Sequence, residues 1–237
     1  MRFDLSVLSD YAKENEIFLP DTALSMLECY GNLLLEWNEK INLTAITEPS
    51  EIVIKHFTDS LSLLRVIDPR PGEKLIDIGT GAGFPGMVLK ILRPALSVTL
   101  LDGHAKRFLF LDDLSRQLSL PVEMLHDRAE LAAKRENYRE QFDYATARAV
   151  ARLQTLSEYC LPFVKPGGCF LAMKGPDLCE EYNQAKKALS LLGAGDTTAF
   201  SFSLPDGSER NILKAKKTAH TPAAYPRASA KIAKQPL

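Results

Sequence analysis

DIGTGAGFPG, Asp77 to Gly86, is the stretch on which the reading of the fold turns. Immediately before it KLIDI has the short apolar character of a strand, and MVLKILR behind it has that of a helix. A strand ending at Ile78 must therefore turn sharply into a helix starting near Pro85, a residue suited to a first helical turn. Gly79, Gly81 and Gly83 supply the backbone freedom such a turn needs, and their missing side chains let a ligand approach.

Outward from this loop the same alternation continues. KLIDIG, SVTLLD, PVEMLH, FDYATARAV and GCFLAMKG are strand-like, and helical stretches such as AKRFLFLDDLSRQL separate them. Strands alternating with helices predict a parallel sheet with right-handed crossovers. After the helical EEYNQAKKALSLLG, the runs TTAFSFSL and NILKAKKT flank the turn-forming PDGSER and predict a closing antiparallel hairpin. Upstream, apolar positions at Leu24, Leu27, Leu34, Trp37 and Ile41 predict a helix within residues 20 to 42, and a second one is expected at Asp59 to Val66. The first seventy residues thus read as helical, with PRPG (Pro69 to Gly72) as the boundary.

The glycines alone admit two ligands. Gly81, Gly83 and Gly86 satisfy the dinucleotide spacing G-x-G-x-x-G, with Asp102 at the distance expected of a ribose ligand. Two details favour S-adenosylmethionine: Asp77 precedes the first glycine by two residues, where its carboxylate can face the ligand's ammonium, and the register Asp77-x-Gly79-x-Gly81-x-Gly83 fits the strand end better. Asp102, closing SVTLLD, would stand at the carboxyl edge of the neighbouring strand, where its two oxygens can accept from two ribose hydroxyls or instead cap the next helix.

Composition narrows the rest. The chain has 237 residues, 46% hydrophobic and 25% charged, enough for one full core with an extension. Cys29, Cys160, Cys169 and Cys179 form no C-x-x-C pair, so they read as small buried thiols rather than zinc ligands or disulfides, and no metal site is expected. No uncharged apolar run reaches eighteen residues and MRFDLSVLSDYAKE carries early acids, so neither a membrane span nor a signal peptide is expected, and a cytoplasmic location is. Net charge is −1, yet from Gly207 onward seven Lys/Arg face only Glu209; that +6 leaves −7 for residues 1 to 206. Such asymmetry points either to a polyanionic partner or to a solvated basic tail.

Specific motifs extend beyond the loop: WNEKINLTAIT (Trp37 to Thr47), HFTDSL (His56 to Leu61), LIDIGTGAGFPG, DRAE (Asp127 to Glu130), TARAVA (Thr146 to Ala151), VKPGGCFLAMKG (Val164 to Gly175) and the late YPR (Tyr225 to Arg227). Together they closely resemble the bacterial RsmG (GidB) family of ribosomal RNA methyltransferases, over nearly the whole chain. The resemblance implies a class I S-adenosylmethionine-dependent methyltransferase fold, α/β and Rossmann-like, with a mostly parallel seven-stranded sheet and an N-terminal helical extension. It divides the chain into an extension (1–70), a methyltransferase domain (71–220) and a basic tail (221–237). It implies methyl transfer to N7 of a guanine in a conserved loop of 16S rRNA, offered as RNA or as a small-subunit particle. Carried over by position, Gly79 and Phe84 resemble cofactor contacts, Ala129 and Glu130 the segment flanking the adenine, and Arg148 the arginine after the fourth strand. Gly103-His104 departs from the small polar residue that many members place after the acid.

N7 of guanine carries a lone pair and no proton, so no general base is obligatory and placement is the main task. No nucleophile is nominated. Arg148, after an apolar strand, needs a ligand or an acidic partner, Glu130 or Asp77 being the alternatives to a ligand. His56 either faces the ligand edge or belongs to a stretch in which Thr58 and Asp59 cap a helix. Arg107, Lys165 and Lys174, with Lys214, Lys216, Lys217, Arg227, Lys231 and Lys234 from the tail, are the candidates for a positive rim that meets RNA, and Phe84 or Tyr225 for holding an unstacked base.

Overall fold

The computed structural model describes residues 3–237; Met1 and Arg2, the first two positions of the expected extension, lie outside the described residues. Helices α1 (Ser6–Glu14) and α2 (Ala23–Asn38) are followed by a composite helical stretch: α3 (Pro49–Ile52), a π-helical turn (Val53–Thr58), α4 (Asp59–Leu61) and a 3-10 turn (Ser62–Arg65). Then come β1 (Lys74–Ile78), α5 (Gly86–Leu92), β2 (Ser97–Asp102), α6 (Ala105–Gln117), β3 (Glu123–His126), α7 (Ala129–Ala132) and β4 (Phe142–Arg148). The chain finishes with α8 (Leu153–Cys160), β5 (Val164–Lys174), α9 (Leu178–Leu191), β6 (Ala194–Ser203), β7 (Glu209–Lys217) and α10 (Ser229–Lys234).

The seven strands form one sheet in the order β3-β2-β1-β4-β5-β7-β6, with β7 antiparallel to both neighbours and the other pairs parallel. Strands β1 to β3 step outward in one direction and β4 starts again on the other side of β1. That reversal makes the carboxyl ends of β1 and β4 the switch point, where an open α/β sheet leaves a crevice for ligands. KLIDI is buried at every position after Lys74 because β1 is covered on both faces, as a central parallel strand must be.

One face of the sheet packs against α5, α6 and the N-terminal helices in a single apolar cluster containing Phe3, Leu27, Tyr30, Phe57, Val88 and Phe110. The other face packs against α7, α8 and α9 through Ala132, Leu156, Phe163, Phe170 and Leu189. The N-terminal helices therefore share a core with the first βαβ unit.

Several local expectations change. The helix expected within 20 to 42 starts at Ala23 and ends at Asn38, after Pro20 and Asp21 have passed. HFTDS lies inside the π-helical turn and α4, so Thr58 and Asp59 cap nothing; the Thr58 hydroxyl donates to the Val53 carbonyl from mid-helix. Of the four thiols Cys160 and Cys169 are buried, Cys29 is half-buried and Cys179 is exposed. The tail is not a solvated arm: Ile232 is fully buried and Arg227 pairs with the buried Glu158.

Candidate functional site

The glycine loop is held from below by Asp77. Its Oδ2 accepts from the Thr80 hydroxyl at 2.6 Å and the Gly86 amide at 2.9 Å, joining the strand end to the start of α5. Burial pushes this carboxyl up to about 6, against the Thr80 and Gly86 donors that favour its ionised form. Oδ1 is buried without a hydrogen bond. The side chain is fully buried and shapes the loop from beneath.

The glycines divide by task. Gly79 has φ +69°, and a Cβ there would stand 2.7 Å from Val150 Cγ2, so its bareness keeps the crevice open between β1 and the segment after β4. Gly83 has φ +94°, but its Cβ would meet the Tyr30 hydroxyl at 2.6 Å and Met87 at 2.9 Å. Gly83 serves the packing of α2 against the loop.

Two adjoining cavities, about 560 and 430 Å³, open over the carboxyl ends of β1, β2 and β4 and share Gly79, Asp102, Gly103, Arg128 and Val150. The first is completed by Thr44, His56, Phe84, Arg107 and Arg148, the second by Ala129, Glu130, Tyr159 and residues of α10. Each is of the size that takes a small organic ligand. A third cavity of about 460 Å³ continues past His56, Arg148 and Ala149 to Asp59, Lys174, Phe202, Arg210 and Asn211.

Asp102 stands in this cleft with both oxygens occupied. Oδ2 accepts from Arg107 at 2.7 Å and the Gly81 amide at 3.0 Å, and Oδ1 from the His104 amide at 2.9 Å. Burial pushes the carboxyl up, but Arg107 and the two amides outweigh it and hold it below its ordinary value. Ribose hydroxyls can reach Asp102 only by sharing or displacing these donors. Arg107, expected to meet RNA, is thus the acid's ion-pair partner.

Arg148 sits between the first and third cavities. Its Nη1 donates to the Lys55 carbonyl at 2.8 Å and to Asp59 Oδ2 at 3.0 Å, and its Nη2 lies 3.2 Å from His56 Nδ1. The acidic partner is Asp59, not Glu130 or Asp77. Asp59 Oδ1 makes an ion-pair contact with Arg210 Nε at 3.3 Å without hydrogen-bond geometry. His56 Nε2 is 2.8 Å from the Thr44 hydroxyl. Burial, then the Arg148 charge, lowers the His56 pKa to about 3, so its ring is neutral at pH 7.

Phe84 has its ring faces occupied: it stacks on Tyr30 at 5.1 Å and on His56 at 4.5 Å, with Arg148 5.1 Å from its centroid. It lines the first cavity from within this aromatic cluster. Tyr225 packs beside Arg227 and the second core cluster.

The family model for GidB, rRNA small subunit methyltransferase G, matches residues 23–213. The chain belongs to that family. It is 44% identical to the ribosomal RNA small subunit methyltransferase G of Desulforamulus reducens, over 99% of both chains, and 48% identical to that of Desulfitobacterium hafniense, over 93% of this chain and 92% of the relative. Among solved structures, a SAM-dependent O-methyltransferase of Thermotoga maritima superposes with TM-score 0.55 at 15% identity, over 79% of this chain and 72% of that one. TrmN of Thermus thermophilus gives TM-score 0.52 at 20% identity, over 67% and 48%. These likenesses establish the α/β methyltransferase fold.

In this GidB-family chain most expected rim cations are otherwise engaged. Lys165 pairs with Asp143 at 2.6 Å at the amino ends of β4 and β5, the pole opposite the cleft. Lys174 is at the right edge but pairs with Glu181 at 2.7 Å and donates to the Ala151 carbonyl. Because β7 runs antiparallel, Lys214, Lys216 and Lys217 fall back toward that opposite pole, with Lys216 beside Cys169. Lys217 is fully buried, donates to the Leu161 carbonyl at 2.8 Å, and is lowered by burial to about 8 despite Glu140. Arg227 forks onto Glu158. Lys231 and Lys234 are exposed on α10.

What the sequence reading missed lies at the same edge: Thr44, Asp59, Arg128, Val150, Arg210 and Asn211. The antiparallel turn of β7 brings Arg210 and Asn211 there, since Lys174 pairs with Asn211, and the PDGSER hairpin was the one available signal.

Proposed function

We propose that this chain transfers a methyl group from S-adenosylmethionine to N7 of a guanine in a conserved loop of 16S ribosomal RNA, in the free RNA or a small-subunit particle, in the cytoplasm. The observation that carries the reading is the continuity of two spaces: the cleft at Gly79, Asp102 and Glu130, which suits an adenosyl ligand, opens past His56 and Arg148 into a second pocket suited to a planar base. The names of the close relatives supply the RNA.

When bound, the donor supplies an electrophilic methyl on a sulfonium. Gly79 and Gly81 let it lie against the loop backbone, Asp102 faces its ribose, and Ala129 and Glu130 flank its adenine. His56 is neutral and hydrogen-bonded, so it takes no proton; N7 has none to give. Arg148, fixed by Asp59 and the Lys55 carbonyl, positions what enters from the third cavity. The chain thus works by placing two reactants in line, which removes much of the entropic barrier of an encounter. Arg128 and Arg210, which line the first and third cavities, are the cations we assign to the RNA-facing side. Exposed Lys231 and Lys234 extend that surface.

The test offers undermethylated small-subunit particles and free rRNA with labelled S-adenosylmethionine and maps the product by mass. Label as 7-methylguanine at one position is expected. Label on another atom, or on no RNA, overturns the reading.

A further inference from the structure

The C-terminal residues enter the cleft. Ser229, Ala230 and Ala233 of α10 line the 430 Å³ cavity, facing Ala129, Glu130 and Tyr159 across it. Two anchors hold the helix there. The Arg227 amide and guanidinium all donate to Glu158, at 2.8 Å from the backbone and 2.6 Å from Nη2, and the Glu158 side chain is 1% exposed. Ile232, one turn on, is fully buried. Closer to the cavity, Arg128 Nη1 donates to the Ser229 hydroxyl at 3.0 Å.

We infer that α10 is the outer wall of the adenine pocket, and that the small side chains Ala230 and Ala233 set how large a base the pocket accepts. The inference rests on the methyl-donor reading of the cleft. Its physical basis is that a buried, charge-paired anchor fixes a helix whose cavity-facing positions carry only a methyl or a hydroxymethyl group. Glu158 is a buried residue of α8, so it is left without Arg227 if the tail detaches; an uncompensated buried carboxylate is strongly disfavoured, and the wall stays closed. On the methyl-donor reading the adenosyl ligand is held between two walls, one from the segment after β3 and one from the chain's last helix. Positive charge on the tail is partly spent on this docking, since Arg227 makes the anchor.

The full-length protein, Ala233→Leu and Gln235→Leu are titrated with S-adenosylhomocysteine by calorimetry, and amide exchange of residues 229–234 is followed with and without it. Leu at 233 places new volume in the cavity, whereas Gln235 is exposed and outside it. The expected result is a loss of affinity of about tenfold or more for Ala233→Leu, wild-type affinity for Gln235→Leu, unchanged melting temperatures, and slowed exchange at 229–234 on binding. Wild-type affinity in Ala233→Leu, or slowed exchange at the glycine loop and 127–130 but not at 229–234, overturns the wall. Failure of the wild-type protein to bind S-adenosylhomocysteine overturns the methyl-donor reading itself.

Discussion

The Tyr30 hydroxyl donates to the Ala82 carbonyl, so the second N-terminal helix is fastened to the glycine loop across 52 residues of sequence. Tyr30 is fully buried, its ring stacks on Phe84, and its hydroxyl occupies the space that a side chain at Gly83 would need. The loop's shape is consequently a joint product of the strand before it and a helix well upstream.

That division of labour separates two glycine variants. Gly83→Ala forces a Cβ into Tyr30 and Met87 at positive φ and is expected to cost about 1–3 kcal/mol in unfolding free energy, read by denaturant titration. Gly79→Ala meets only the exposed Val150 side chain; its expected loss is in S-adenosylhomocysteine affinity, with a smaller stability change. Equal loss of affinity in both, with equal stability, contradicts the assignment.

His56 gives a pH signature. Its folded pKa of about 3 lies below the ordinary 6.5, so the unfolded state binds the extra proton between those values. Its stabilising contribution is complete above pH 6.5 and is lost as pH falls toward 3, with a slope of up to about 1.4 kcal/mol per pH unit. Relative to wild type, His56→Gln should show a flatter stability profile over that range. An imidazole that titrates near 6.5 by NMR would remove the basis of this expectation.

Asp77 has the opposite sign. A carboxyl raised from 3.8 to about 6 binds more protons folded than unfolded, so its contribution is complete below about pH 4 and is lost as pH rises through 6. Over that interval the stability of Asp77→Asn should improve relative to wild type by as much as about 3 kcal/mol. A difference that does not change with pH would show that Asp77 titrates normally.

Arg148→Lys keeps a charge but cannot hold Asp59, the Lys55 carbonyl and the His56 edge at once. Methyl transfer to rRNA should fall by roughly 100-fold or more, the scale of a misplaced reactant, with S-adenosylhomocysteine affinity reduced much less. A loss confined to cofactor affinity would return Arg148 to the donor side alone.

The polarity of the sheet is tested by charge reversal. Lys165→Glu and Lys216→Glu lie at the pole away from the cleft and should leave kcat/KM for rRNA particles unchanged, while Arg128→Glu should raise KM and reduce its salt dependence. Equal effects of all three would place RNA over a much wider surface.

The sheet was legible because its signals are local: β1 to β5 read as apolar runs, and PDGSER announces a hairpin through its turn residues. The loop was legible for the same reason. Its contacts were not, since whether Asp77 and Gly83 face a ligand or the protein depends on Thr80, Gly86 and Tyr30, which only the fold brings close. HFTDS reads from sequence as either a ligand-edge segment or a helix cap because a π-helical turn mixes polar side chains into a continuous helix, and no spacing rule marks it. The β7 lysines lie away from the cleft for a topological reason: along antiparallel β7, Arg210 lies at the cleft and Lys216 at the far pole, although six residues separate them.

The position of Arg148 also bears on the direction in which charge moves. Under the proposed transfer, the sulfonium becomes a neutral thioether while the guanine becomes a cation, so one positive charge crosses from the first cavity to the third. Arg148 borders both and opposes a cation on either side of it, whereas Asp59 lines only the third. Asp102 lines the first cavity beside Arg107 and Arg128, and Glu181 lines the third with Lys55, Lys174 and Arg210. The two sides of Arg148 therefore present the same net lining charge, so the migrating positive charge leaves one net positive lining and meets an equal one.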